Sequence, residues 1–269
     1  MPDQLSPDAL APLVRNTIFA RAEHIHYFRT VGSTNEMAMQ AADAGAEEGS
    51  VFVADEQTSG RGRGGHGWHS SADGGLYLSV LLRPNLNPTD VLWLSLITGL
   101  SAHYAIDLVL GAPPDLRWPN DIMLGNRKLG GILTEMAADS THVRHVVVGV
   151  GLNINQASFP PELADIATSL RIETGRDWPR TEIAAALLKS LDREYRALKT
   201  GLLANISGSI IKRFERCSSY AHGATVAVEE AGGFTGQTVG LDARGFLRVQ
   251  TQDGVKTVLS GGVRKVAGD

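Results

Sequence analysis

A chain of 269 residues that is 43% hydrophobic and 20% charged is long and apolar enough to bury a core, which excludes both a peptide and a disordered chain. Its net charge of −4 denies it the global positive field that holds nucleic acid by phosphate neutralisation, so any anion site must be built locally. A single cysteine, Cys217, excludes an intramolecular disulfide framework and a zinc site of four cysteines, and fits a reducing compartment.

Met1 to Leu13 holds Asp3 and Asp8, is interrupted by Pro2, Pro7 and Pro12, and has no apolar run, which is not the pattern of a secretory signal. The expected location is cytoplasmic. From His24, the alternation of Ile25, Tyr27 and Val31 predicts a strand that Gly32 ends. Ser33, with Glu36 three residues on, has the form of a capping box and opens a helix running to Gly45. Val51 to Ala54 reads as a short buried strand, and Leu76, Leu78, Val80 and Leu82 as another. Between them, Asp55 to Ser71 has no period and outruns most structureless loops in compact domains, which marks it as functional or disordered. Pro88 begins an apolar helix to Gly111. Its uncharged stretch, Val91 to Ile106, contains Ser95, Thr98, Ser101 and His103 and falls short of the ~20 residues of a membrane span, so it predicts a core helix and no membrane.

Leu116, Trp118, Ile122, Leu124, Ile132, Leu133 and the run Val143 to Val150 predict three or more further strands, punctuated by Pro119-Asn120-Asp121 and Gly125-Asn126. Two amphipathic helices follow, one on Ile183, Leu187, Leu188, Leu191, Tyr195 and Leu198, the other on Leu203, Ile206, Ile210 and Phe214. After Tyr220, four β-rich runs around Val226, Val239, Val249 and Val258, separated by glycine turns, have the spacing of a small antiparallel barrel. The expected fold is α+β: a mixed sheet packed by helices over residues 1–219, then a small β-barrel over 220–269.

Gly60 to Gly67 holds five glycines in eight positions. Gly60, Gly62 and Gly65 match the dinucleotide fingerprint letter for letter, but that motif needs a helix opening directly after the glycines to hold the pyrophosphate, and a polar stretch and a strand follow instead. No Gly-Lys dipeptide exists for a P-loop. The segment offers exposed amides, Arg61, Arg63 and the indole of Trp68, a set suited to closing over a phosphorylated small ligand. His66 and His69 have no carboxylate or cysteine beside them, so no metal site is expected.

Four further motifs accompany this loop: Ser33-Thr34-Asn35, Arg117-Trp118-Pro119-Asn120-Asp121, Lys128-Leu129-Gly130-Gly131-Ile132-Leu133 and Gly149-Val150-Gly151-Leu152-Asn153. Together and in this order they resemble the biotin protein ligase family over about residues 23–269, with the C-terminal part similar to that family's SH3-like domain. The resemblance implies a class II synthetase-like catalytic domain and two half reactions. Biotin and ATP give biotinyl-5′-AMP and pyrophosphate, and a lysine of a biotin carboxyl carrier protein domain then attacks the mixed anhydride. Magnesium is expected with ATP, held mostly by substrate oxygens.

Carried onto these positions, the resemblance assigns Ser33, Thr34, Gln57, Gly60, Arg61, Gly131, Gly149 and Gly151 to biotin, and Arg63, Trp68, Asn120, Lys128 and Asn153 to the nucleotide. Lys128, Asp121 and Arg63 are the expected catalytic residues. Lys128 would neutralise the biotin carboxylate and α-phosphate as charge develops, and Asp121 would orient or deprotonate the attacking lysine. Ser33 and Thr34 can also cap the helix, Trp68 can equally anchor its loop, and Asn120-Asp121 can satisfy turn amides. Many family members carry arginine at the position of His66, so weaker retention of the adenylate is expected here. With 32 residues before Ser33, a DNA-binding head of ~50 to 60 residues is not expected. The rival readings are a lipoate ligase or octanoyltransferase of the same architecture, and a non-enzymatic RNA-binding protein, against which the net negative charge and the single aromatic of the loop argue.

Overall fold

A computed structural model describes residues 5–200, 203–260 and 262–266, without the side chains of 203–208 and 231. The sequence signals at Pro2 and Asp3, and the side chains of Leu203 and Ile206, lie outside that description. A four-residue helix, α1 (Pro7–Leu10), capped by Ser6, buries Leu10 beside Leu5 and Val14. Next come β1 (Ile25–Val31), α2 (Thr34–Asp43), β2 (Val51–Gln57) and β3 (Gly75–Leu82). The long helix α3 (Leu92–Leu110) precedes β4 (Asp115–Arg117), β5 (Asp121–Leu124), β6 (Arg127–Ala138) and β7 (Val143–Asn153). These seven strands form one sheet in the order β1-β2-β3-β7-β6-β5-β4. β1 and β2 pair in parallel, with α2 as the crossover such a pair needs, and every other neighbour is antiparallel.

The first turn expected of α3, Pro88–Asp90, is a 3-10 turn, and Gly111 closes the helix at φ 70°. Trp93 to His103 are all buried, because this helix fills the space beneath the sheet. By length and composition it could cross a membrane, yet most of it is enclosed by the fold. Its hydroxyls cost little there: Thr98 and Ser101 each donate 2.7 Å bonds to carbonyls one turn back, and Ser95 meets Thr134 of β6 at 2.8 Å. The helices α4 (Leu170–Thr174), α5 (Arg180–Lys199) and α6 (Leu203–Arg216) complete this side, with Glu194 of α5 holding Arg213 of α6 through bonds of 2.8 and 2.7 Å. With four and five residues, α1 and α4 are too short to leave a hydrophobic period, and the sequence reading missed both.

The C-terminal part contains five strands where four were expected: β8 (His222–Val228), β9 (Phe234–Leu241), β10 (Leu247–Thr251), β11 (Gly254–Val258) and β12 (Val263–Lys265). They form an antiparallel sheet in the order β11-β10-β9-β8-β12. It docks on the first sheet through Trp118 Nε1, which donates to the Gly245 carbonyl at 2.9 Å, and Arg117, which donates to the Tyr220 hydroxyl at 2.6 Å while lying 4.1 Å from its ring centre. Val226, Leu247 and Val249 continue the main core.

Asp55 to Ser71 departs from the aperiodic expectation. Its first three residues extend β2, and 60–68 fold into a small tongue in which Arg61 bridges Gly67. Gly62 N donates to His66 O at 2.7 Å and Trp68 N to Gly60 O at 2.8 Å. The tongue turns through Gly64 and Gly65, both at positive φ. Gly60 serves this fold, since a Cβ there would lie 2.5 Å from the Trp68 carbonyl.

Candidate active site

Strand register assembles the floor of the site. Gly151 of β7 pairs with Tyr77 of β3 on one side and Gly131 of β6 on the other, and Gly149 pairs with Ser79 and Leu133. Two residues earlier on the same face, Val147 packs with Ala38, Ala42, Phe52 and Leu81 beneath α2. The apolar cover therefore stops where the glycines begin, and a recess opens. Its walls come from the start of α2, the end of β2, the tongue, and the β5–β6 edge.

At the α2 end the groups are neutral apart from Arg61, whose guanidinium faces Glu135 at 3.6 Å. Ser33 holds the N-cap position with extended backbone but makes no side-chain cap bond, so the expected capping box does not form. Gln57 Oε1 takes over the capping, accepting from Thr34 N at 2.8 Å, and the Ser33 hydroxyl stays at the recess. Thr34 Oγ1 lies 3.1 Å from Gln57 Oε1 and 2.8 Å from Ser79 Oγ. Tyr77 adds a neutral phenol: burial pushes its pKa up to about 12, against hydrogen bonds with Ser71 and Gln156.

The opposite end is charged. A register shift between Ile122 and Met123 sets two residues of β6 against one step of β5 and aims Lys128 at the recess while Leu129 stays fully buried. Lys128 Nζ sits 2.6 Å from Asp121 Oδ1 and 5.6 Å from the Trp68 ring centre. Its backbone is clamped between Ile166 O at 2.8 Å and Thr168 N at 2.9 Å. Arg63 reaches the same end from the tongue, donating a long 3.5 Å bond to Asn120 Oδ1, while Asn120 Nδ2 donates to Ile132 O at 2.9 Å. Burial lowers the pKa of the Arg63 guanidinium, against the opposing charge of Asp121, the condition of a cation whose stabilisation would improve with an anion.

The structure thus brings Ser33, Thr34, Gln57, Arg61, Arg63, Trp68, Asn120, Lys128, Gly131, Gly149 and Gly151 to one recess, with Asp121 joined through Lys128. Asn153 is not among the residues that line it. Its amide is spent on the carbonyls of Thr168 at 3.0 Å and Lys128 at 3.5 Å, so it braces the Lys128 strand. The bare backbone of two glycines also has protein neighbours: a Cβ at Gly149 would lie 2.1 Å from Asn35 Oδ1, and one at Gly151 2.5 Å from Trp68 Nε1. That indole nitrogen is buried without a hydrogen-bond partner among the described residues. With Trp68 laid across Gly151, the free cavity is about 50 Å³. His66 is exposed on the tongue.

Sequence reading assigned no role to Asn35, Ser79 or Glu135, which lie on the same face as the floor, with Asn35 lining the recess. The available signal was Glu135 itself, a carboxylate on the strand face that carries Gly131 and Leu133.

The recess and sheet match the model of the Biotin/lipoate A/B protein ligase family over residues 27–153, and the second sheet matches that of the Biotin protein ligase C terminal domain over 222–265. The "Bifunctional ligase/repressor BirA" of Bacillus subtilis is 34% identical over 241 residues, covering 88% of this chain and 73% of that protein. The "Biotin--[acetyl-CoA-carboxylase] ligase" of Paracoccus denitrificans is 31% identical, covering 76% of this chain and 86% of its own. The solved structure of the biotin protein ligase from Aquifex aeolicus in complex with biotin and ATP superposes with a TM-score of 0.76 at 34% identity, covering 90% of this chain and 99% of that one. The chain belongs to the biotin protein ligase family.

Proposed function

We propose that this chain is a cytoplasmic ATP-dependent biotin protein ligase that makes biotinyl-5′-AMP and transfers the biotinyl group to a lysine of a biotin carboxyl carrier protein domain. The observation that carries the reading is the recess's polarity. Its α2 end holds neutral donors and acceptors, Ser33, Thr34 and Gln57, and its far end holds Lys128 and Arg63. A ureido ring suits the first, and a carboxylate about to bond to a phosphate suits the second.

In the first half reaction a biotin carboxylate oxygen attacks the α-phosphorus, and the bond from that phosphorus to the bridging oxygen breaks to release pyrophosphate. Lys128 and Arg63 balance the charge that would otherwise oppose the approach of two anions. Lys128 must then exchange its 2.6 Å contact with Asp121 for the ligand. In the second, the acceptor amine attacks the acyl carbon and the carbon–oxygen bond to the phosphate breaks, releasing AMP. Asp121, freed from Lys128, accepts the amine proton. Trp68 and Asn120 face the nucleotide, and the tongue excludes water. Mg²⁺, the usual companion of ATP, would be held mostly by substrate oxygens and would supply further neutralisation of the phosphate charge.

The test is exchange of labelled pyrophosphate into ATP, with biotin, lipoate or octanoate supplied in turn. Biotin-dependent exchange is expected. Exchange that ignores biotin but follows lipoate or octanoate would replace the reading with the lipoyl one, and none with any acid would remove the enzymatic reading.

A further inference from the structure

Lys128 lies outside the ladder that carries the rest of the floor. Pairing between β6 and β7 begins at Gly130, opposite Leu152, two residues past Lys128. In place of β7, residues 166–168 run parallel to it: Lys128 N donates to Ile166 O, and Thr168 N donates to Lys128 O. On the other side stands β5, whose turn into β6 through Gly125 and Asn126 is exposed. Lys128 is therefore placed by the 166–168 segment as much as by its own sheet.

One carboxylate fastens both sides of this bridge. Glu173 Oε1 accepts from Arg127 Nη2 at 2.7 Å and from Thr168 Oγ1 at 2.5 Å. Arg127 precedes Lys128 on β6, and Thr168 is the residue whose amide holds the Lys128 carbonyl. Glu173 itself stands on a fixed base. The Ser169 hydroxyl caps α4, accepting from Ile172 N at 3.0 Å and donating to Gln156 O at 2.6 Å, and Arg171 N donates to Ile154 O at 2.8 Å. These bonds seat α4 on the chain leaving β7. The side chains of Arg127 and Glu173 are 38% and 32% exposed, where an isolated ion pair adds little to stability. Thr168, however, is fully buried, and one charged oxygen shared by donors from two segments sets the distance between them.

We infer that Glu173 is a positioning residue for the reaction, holding the Lys128 backbone so that its ammonium meets the ligand carboxylate and the α-phosphate. The inference rests on the ligase reading, in which Lys128 balances that charge. Glu173 is not among the residues lining the recess, and it acts through Arg127 and Thr168. It also lies outside both segments that match the family models, 27–153 and 222–265. Stabilisation of developing charge depends on placement, and a shift of about 1 Å can cost as much as about 10²-fold in rate. Without Glu173 the bridge keeps its own amide bonds and the brace from Asn153 to the Thr168 carbonyl, so the expected loss is smaller.

The experiment measures biotin-dependent pyrophosphate exchange in Glu173→Ala, Glu173→Gln and Thr168→Val, each alone and combined with Lys128→Ala. Glu173→Ala should lower kcat about tenfold and move KM for biotin by less than about threefold. Glu173→Gln, whose carbonyl can accept from both donors, should stay within about twofold of wild type. Thr168→Val keeps the side-chain volume, loses one donor, and should lower kcat about fourfold. With Lys128 already alanine, none of these changes should lower kcat by more than about twofold, because the side chain being positioned is gone. If Glu173→Ala does not fold, Thr168→Val carries the same comparison with and without Lys128. A Glu173→Ala kcat within about twofold of wild type overturns the inference, as does a glutamine variant as impaired as alanine. An equal loss with and without Lys128 overturns it too, since that marks general damage to the fold. Absence of biotin-dependent exchange in the wild-type protein would instead overturn the ligase reading beneath it.

Discussion

The two faces of the seven-stranded sheet are built from the same strands and differ in what each alternate residue must do. Val146, Val148 and Leu152 of β7 point into the main core with α3 and α5, where large side chains fill all available space. Their neighbours Val147, Gly149 and Gly151 begin as apolar cover beneath α2 and then lose their side chains. One face maximises burial, and the other gives up burial over a few residues so that backbone and polar groups can meet a ligand. Period-two alternation lets the second be changed without loosening the first.

The sharpest way to break this contrast is at the charged end. Lys128→Ala should lower kcat for biotin-dependent exchange by about 10²- to 10³-fold, as loss of a group that stabilises developing charge does. Its side chain is 35% exposed and contributes little to the core, so thermal unfolding should shift by only a few degrees. Near-normal exchange would remove Lys128 from the mechanism.

Adjacent residues on β7 test the faces directly. A methyl at Gly149 would collide with Asn35 Oδ1, so Gly149→Ala should raise KM for biotin on the order of tenfold or more and cost about 1–3 kcal/mol of stability. Val148→Ala, one residue away and fully buried on the other face, should cost about 2 kcal/mol in denaturant unfolding and leave KM unchanged. If both variants shifted KM alike, the faces would not be functionally separate.

Much of this was legible in advance, and the gaps have physical causes. Most long strands and helices announced themselves by a period or by an uninterrupted apolar run, and most expected site residues meet at the recess. Spacing could not show that Gly131, Gly149 and Gly151 are neighbours, since that is a property of register across three strands. Glu135 was invisible for the same reason: its meaning depends on Asn35 and Ser79, brought together only by the fold. Asn153 was ambiguous in the other direction, because a strand-end amide beside glycines looks the same whether it faces a ligand or, as its bond to Thr168 O does, braces the strand behind Lys128.

The smallest expected effect concerns a carboxylate with a structural task, away from the recess. Glu48 accepts from Tyr195 Oη at 2.6 Å, Lys199 Nζ at 2.8 Å and the Arg83 amide at 2.9 Å, tying α5 to the end of β3. Burial pushes its pKa up, but these three donors outweigh it and hold the group below its ordinary value. A carboxylate with a lowered folded-state pKa stabilises the fold fully above its unfolded value of about 4.3, and that contribution disappears as pH falls through the lower folded value. Glu48→Gln should therefore lose about 1–2 kcal/mol in urea unfolding at pH 7, and the gap from wild type should narrow as pH drops below about 4. A gap that stays constant with pH would mean that packing and neutral hydrogen bonds, and not the charge, hold this corner. Asp121, by contrast, should leave its mark in kcat, which separates a carboxylate that holds the sheet from one that serves its open face.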